Sequence, residues 1–302
     1  MGGRDRVTVL AGATGRLGGL IARALRDRGA RVRAIVRPGT ARGTIIGLNQ
    51  LGVSIADADY DVPHQLARAC EGASCVVSAL SGLHDVIVDA QTKLMTAAID
   101  AGVPRFIPSD FAIDFTTMPA GGNRNLDLRR EFHERLDAAP IAATSILNGM
   151  FADLLTGQAP FILFRFHRVV YWENADRKMD FTTMRDTASF TAAAALDDTT
   201  PRVLRIAGDV ASARDLAAIA STVTGEQFKL VRAGGLGRLE KIIRIAQLVA
   251  PGKRDVYPPW QGMQYMHDMF DGRAKLEPLD NARYPGLGWT SIRDVLETRT
   301  TR

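Results

Sequence analysis

Apolar positions in the first half of the chain follow two alternating rhythms. Short β-rich runs, "RVTVLAG", "ARVRAIVRPG", "GVSIADA", "ASCVVSAL", "VPRFIPSDF" and "PIAATSILNG", read as strands. Between them "RLGGLIARALRDRG", "PHQLARACEG", "DVIVDAQTKLMTAAIDAG" and "NLDLRREFHERLDAA" carry apolar residues at helical spacing. Gly29 and Gly102 stop two of these helices, and Pro38-Gly39 ends the second strand. Short β-rich runs such as "CVVSAL" fit strands buried on both faces. The alternation predicts an α/β fold, a doubly wound parallel sheet with helices on both sides.

The rhythm breaks after about Phe151. "FILFRFHRVVYW" and "RKMDFTTMRDTASFTAAAAL" read as extended segments leading into a helix. "RVLRIAG", near 202–208, reads as one more strand returning to the sheet. Ser212 is placed to cap the helix "ARDLAAIASTVTG". The expected division is a dinucleotide-binding region over 1–151, with that returning strand, and a smaller, discontinuous α+β substrate-binding region over 152–302.

Composition changes this picture little. A chain of 302 residues with 46% hydrophobic residues buries a substantial core. No apolar run reaches membrane-spanning length, and "MGGRDRVTVL" has no signal-peptide pattern. Cys70 and Cys75 stand in no metal or redox spacing, so a cytoplasmic location is expected. The net charge is +5, but the arginines that dominate it are scattered. Neither a nucleic-acid nor a membrane partner is expected.

Candidate chemistry begins at "VTVLAGATGRLGGLIARAL". Gly12, Gly15 and Gly18, with Ala13, Thr14, Arg16 and Leu17 between them, lie where a strand meets a helix. That context is what a Rossmann dinucleotide turn requires: tight backbone, close approach of a pyrophosphate, and a helix N-terminus facing the phosphates. A purely structural turn would use the same glycines. The second strand ends at Arg37, and no carboxylate occurs between Gly29 and Asp57. A guanidinium there suits a 2′-phosphate, so NADP(H) is expected rather than NAD(H).

The segments "AGATGRLGG", "AIVRP", "DAQTKLMTAAIDAGVPRFIPSDF" and "IAATSILNGMF" resemble NmrA-like and isoflavone-reductase-like proteins, which are atypical short-chain dehydrogenases. The resemblance runs through "MDFTTMRDTASFTAAAAL" and "LDNARYPGLGW". It implies an NADP-binding Rossmann domain, a small C-terminal domain and a substrate cleft between them. By resemblance, Ser78, Ala79 and Leu80 run beside the adenosine and ribose, and Gln91 is a cofactor residue on the next helix. Pro108, Ser109 and Phe111 match the segment near the nicotinamide. Asn148, Gly149 and Phe151 match the segment bordering nicotinamide and substrate.

The catalytic apparatus departs from both patterns. No Tyr-x-x-x-Lys pair exists, and no lysine occurs from 94 to 177. The position of the family lysine falls on Arg129, which keeps its proton at any useful pH but can still donate. His133 shares its helical face and can cycle a proton. Both are candidate catalytic residues, with a solvated or packing role as the alternative. Asp110 is expected to bond structurally to the neighbouring loop. In "VYPPWQGMQYMHDMF", Trp260 and Met263 are candidate substrate contacts on a stripe that also suits a core. No metal-ligand cluster is visible. Three readings stay open. The leading one is an NADPH-dependent reductase of an apolar or aromatic carbonyl or enone. The others are an NADP(H)-sensing regulator with a protein partner and no turnover, and a non-redox user of the fold such as an epimerase.

Overall fold

The computed structural model describes residues 6–159 and 161–300. Residues 1–5, 160 and 301–302 of the two expected regions lie outside the described residues. The described chain forms two compact units. One holds the residues up to Asp110 together with Leu128–Ile146 and Thr187–Leu204. The other holds Phe111–Asp127, Leu147–Asp186 and the residues from Arg205 onward.

The first unit is built on six strands, β1 (Val7–Ala11), β2 (Arg31–Val36), β3 (Ser54–Asp57), β4 (Ala73–Ser78), β5 (Arg105–Ile107) and β6 (Ala142–Ala143). Their order is β3-β2-β1-β4-β5-β6, and every pairing is parallel. This is the doubly wound order expected from the alternating pattern. Helices α1 (Arg16–Asp27), α2 (Arg42–Gln50), α3 (Pro63–Cys70), α4 (Gln91–Asp100) and α5 (Arg124–Asp137) connect the strands. Phe132 on α5 meets Phe106 on β5 with ring centroids 6.2 Å apart. Phe132 and Leu136 are both buried, so one α5 stripe is fixed against the sheet.

Helix α2 escapes the hydrophobic pattern. Its sequence, "RGTIIGLNQ", holds two glycines and buries only Leu48. Its two glycines weaken its helical propensity. Residues Asp85–Ala90, expected as the first turns of one helix, form a π-helical turn ahead of α4.

The sixth expected strand divides into β6 and β7 (Ser145–Leu147), followed by β8 (Met150–Phe151). The strand expected near 202–208 exists as β12 (Val203–Arg205), but it does not return to the six-stranded sheet. It pairs with β7 instead. The Thr144 N–H still donates to the Phe106 carbonyl, whereas the Ser145 N–H donates to Arg202. The chain therefore changes pairing partner at Ser145.

The second unit carries two three-stranded sheets. One joins β9 (Ile162–Leu163), β10 (Arg168–Trp172) and β14 (Lys229–Gly234); the other joins β8, β11 (Met179–Thr182) and β13 (Asp209–Ala211). Helix α6 (Met184–Ala195) follows β11, and α7 (Ala213–Thr224), α8 (Leu236–Val249), α9 (Pro259–Asp271) and α10 (Ile292–Thr300) complete the chain. Ser212 caps α7 as expected, in a capping box closed by Asp215. Pro259 opens α9 at a position where its missing N–H costs nothing. Among the described residues no helix is long and apolar enough to cross a membrane.

The turn after β1 is set by backbone crowding. Gly12 has φ +82°, and a Cβ there would lie 2.4 Å from the Ala79 carbonyl oxygen. A Cβ on Gly18 would lie 2.1 Å from the Gly12 carbonyl oxygen. Both glycines are demanded by the protein's own backbone. Gly15 is not: its φ is −83°, and a Cβ would make only a 3.4 Å contact. Gly18→Ala is therefore expected to destabilise by about 1–3 kcal/mol through overpacking. Gly15→Ala should stay within about 0.5 kcal/mol. Urea denaturation of the two variants checks this; equal losses would refute the distinction.

Candidate functional site

The N-terminus of α1 has the features of an anion site. Its N-cap, Gly15, supplies no side-chain hydrogen bond, and no acidic residue stands in the first turn. The first N–H groups and the positive end of the dipole are thus available to a phosphate. Arg16 occupies the first helical position, where a cation opposes the dipole unless an anion lies near. Thr14, Gly15 and Arg16 are exposed, while Ala13 and Gly18 are buried and Leu17 is half-buried. The fold does not itself require a glycine at 15.

Arg37 follows β2 directly and is exposed. Among the described residues its guanidinium has no hydrogen-bond or ion-pair partner. Its charge reaches Tyr60, where burial raises the phenol pKa, Cys70 adds to the rise and Arg37 opposes it. The two cysteines are free and buried, and burial pushes each thiol up to about 12.

The ends of β4 and β5 are tied together. Ser109 donates its hydroxyl to the Leu80 carbonyl at 2.6 Å, and its N–H donates to Gln91 Oε1 at 2.8 Å. Gln91 Nε2 donates to the Ile87 carbonyl at 2.9 Å. Both ends of that buried amide are committed to the protein, so Gln91 sets the position of the Pro108–Ser109 backbone. Ser78, at the end of β4, is fully buried, and among the described residues its hydroxyl has no hydrogen-bond partner.

Arg129 and His133 lie on one face of α5, as their spacing predicts, but not on a solvated face. Arg129 is 7% exposed. His133 Nε2 is 2.6 Å from Asp110 Oδ2. Ser145 Oγ donates to the same carboxylate oxygen at 2.6 Å and accepts from Arg202 Nη1 at 2.6 Å. Asp110 therefore does not bond to its neighbouring loop as expected; its partners are His133 and Ser145, brought in by α5 and β7. Burial pushes the Asp110 carboxyl up, but His133, Ser145 and the Arg129 charge outweigh burial and hold it below the usual carboxylate range. Its Oδ1 is buried without a hydrogen bond. Ser145 and Arg202 carry no sequence signal for this cluster, since they meet it through pairings remote in the chain.

In the second unit, Phe111 is buried and Phe151 half-buried. Asn148 is fully buried, and among the described residues its amide has no hydrogen-bond partner at either end. Trp260 is 5% exposed and donates its indole N–H to the Pro251 carbonyl, with the Arg124 guanidinium 4.7 Å from its ring. Met263 on the same helix is half-buried. Among the described residues no group of three or more His, Cys, Asp and Glu is placed to hold a metal.

A carboxylate held below its unfolded value of about 3.9 stabilises the fold above that pH, and the contribution is lost as pH falls through the folded value. Asp110→Asn is expected to lower stability at pH 7 by roughly 1–3 kcal/mol. It should also flatten the loss of stability below about pH 4. Denaturation midpoints from pH 7 to pH 2 test this, and parallel acid limbs for both proteins would refute it.

Comparison with known proteins agrees with this architecture. The family model described as the NmrA-like family matches residues 4–282. Pinoresinol reductase 1 of Arabidopsis thaliana is 28% identical over 248 residues, covering 75% of this chain and 76% of its own. The solved structure of AtPrR2 with NADP+ and (+)pinoresinol superposes with a TM-score of 0.84 at 21% identity, over 99% of this chain and all of that one (100%). The binary complex of leucoanthocyanidin reductase with NADPH from Vitis vinifera gives 0.79 at 18% identity, over 98% of this chain and 100% of that one. At such identities the superpositions speak for the fold alone, whereas the family model spans most of the sequence. The chain belongs to the NmrA-like family.

Proposed function

We propose that this protein is an NADPH-dependent reductase of an apolar or aromatic small molecule, acting on a carbonyl or a conjugated double bond. The observation that carries the reading is Gly15: a glycine the fold does not need, at an uncapped helix N-terminus just beyond the end of the interior strand β1. The relatives named as pinoresinol reductases support the substrate class. Cofactor binding is assigned to the turn Gly12 to Gly18, to Arg37 for the 2′-phosphate, and to Ser78, Ala79, Leu80, Pro108 and Ser109. Gln91 acts by holding Ser109. Substrate contacts are assigned to Phe111, Asn148, Phe151 and Met263, with Trp260 supporting α9.

Bound NADPH supplies a hydride, so the proton that completes the reduction must come from the protein or from water. Arg129 cannot give one up and serves as a fixed charge that favours a developing oxyanion. His133 is the titratable group on that face, and Asp110 fixes its ring. It is assigned as the proton donor. The missing Tyr-x-x-x-Lys pair and family lysine favour the regulatory reading, whereas the epimerase reading has no observation of its own.

Arg37→Ala is expected to weaken NADPH binding by about ten- to a hundredfold and to leave NADH binding nearly unchanged. Calorimetry with both cofactors checks this; equal losses would mean that Arg37 does not read the phosphate. His133→Gln should slow single-turnover NADPH oxidation with aromatic enones or quinones by about 10²–10⁴ while NADPH affinity stays within about twofold. Arg129→Lys, which keeps the charge, should retain turnover. Wild-type protein that binds NADPH tightly but oxidises it with no member of such a panel would sink the reductase reading.

A further inference from the structure

Large apolar side chains left in water are scattered over most of this protein but gathered at one place. Of those exposed among the described residues, four lie between positions 245 and 257: Ile245, Leu248 and Val249 on α8, and Tyr257 beyond it. Leu248 and Val249 are 82% and 80% exposed, more than any of the others. A single exposed leucine needs no explanation, whereas a cluster does. The face that α8 packs inward is a different one, carried by the buried Leu239 and Ile243. Ile245, Leu248 and Val249 follow at spacings of three and four, so they form a second apolar stripe on the same helix, turned outward.

Cations share that outward face. Arg238, Lys241 and Arg244 are exposed and spaced three apart, and Lys241 and Arg244 stand four residues before Ile245 and Leu248. Lys253 and Arg254 are exposed in the turn that follows. Among the described residues the side chains of Lys241, Arg244, Lys253 and Arg254 have no hydrogen-bond or ion-pair partner. Of the two carboxylates between Leu236 and Tyr257, Glu240 pairs with His267 at 3.2 Å, which leaves Asp255. The end of the helix is held in place. The Ala250 N–H donates to the Ala246 carbonyl at 2.9 Å, and the Trp260 indole N–H donates to the Pro251 carbonyl at 3.1 Å. Arg124 donates to the Asp255 and Val256 carbonyls at 3.0 and 2.8 Å. The stripe and its cations are thus a fixed surface of the second unit.

We infer that the C-terminal end of α8, with the turn up to Tyr257, docks on an anionic lipid membrane. Lys241 lies seven residues before Leu248, about 10 Å along the helix. Leu248 and Val249 can therefore enter the acyl boundary while the cations stay level with the lipid phosphates. The Tyr257 ring, apolar with a polar tip, suits the same boundary. Charge selects this partner over a second copy of the chain, because a symmetric interface through this face would gather the same unpaired cations from both copies. Attachment of this kind needs no spanning helix. The expectation of no membrane partner rested on arginines that look scattered along the chain; α8 brings two of them and a lysine onto the face of the stripe.

Flotation of the full chain with lipid vesicles tests this. The protein should bind phosphatidylcholine vesicles containing about 30% phosphatidylserine at least about tenfold more tightly than pure phosphatidylcholine vesicles. Equal binding to the two, or binding to neither, would overturn the inference. A net charge of +5 would by itself draw the protein to anionic vesicles, so the deciding variant leaves the charge alone. Leu248→Ser/Val249→Ser should bind the anionic vesicles at least about tenfold more weakly. Lys241→Gln/Arg244→Gln should lose roughly tenfold as well, through charge. All four positions are exposed, so neither change costs the fold. A serine variant that binds the anionic vesicles like wild type would leave only charge attraction and would overturn the docking assignment. So would a wild type that sediments as a dimer and a serine variant that sediments as a monomer with lipid binding intact, which would give the stripe to a second copy.

Discussion

Three stretches of backbone meet at Gly12, and much of the first unit depends on that crowding. The end of β4 presses on the Cα of Gly12 through the Ala79 carbonyl, and the Gly12 carbonyl in turn leaves no room for a side chain on Gly18. The Ala79 N–H donates to the Ala11 carbonyl at 2.9 Å, so β1 and β4 stay in register to their last residues. Helix α1 can start only where this packing lets it. From Leu80 the constraint passes to Ser109, from Ser109 to Gln91, and from the neighbouring Asp110 to α5. The ends of β1, β4 and β5 are thus fixed to one another by the protein's own contacts.

The sequence is informative where a function needs local geometry. A strand, three spaced glycines and a helix are contiguous in the chain, so the strand–turn–helix geometry could be read directly. The capping box at Ser212 and the proline at the start of α9 were legible for the same reason. Helix α2 was not, since its glycines and β-branched residues argue against a helix. The pairing of β12 with β7 was equally hidden: "RVLRIAG" shows that a strand forms but not which edge accepts it.

The candidate catalytic cluster shows the same divide. The spacing of Arg129 and His133 announced a shared face, and α5 provides one. Which way that face points depends on Phe132 and Leu136, whose burial turns the helix so that the two basic residues also leave solvent. Asp110 then acquires a partner from α5 and another from β7, neither of them near it in sequence. Arg202, which donates to Ser145, comes from still further along the chain. No local pattern encodes a contact that exists only because a strand changes partner at Ser145.

Buried polar groups in this protein fall into two kinds, and the difference separates support from recognition. Gln91, Asn123 and Asn125 have both ends of their amides bonded to protein, which makes them rigid ties between elements. Ser78 and Asn148, and one oxygen of Asp110, are buried without such bonds. These three stand at or just beyond a strand end, whereas Thr8 inside β1, Arg26 on α1 and Gln261 on α9 each also bury one polar side-chain atom without a hydrogen bond among the described residues. Burial without bonding costs stability, and a fold tolerates it where a ligand repairs the deficit. The same reasoning singles out Gly15, a residue whose small size the protein itself does not use. Groups left without partners by the fold are therefore where a polar ligand would gain most, wherever in the chain they stand.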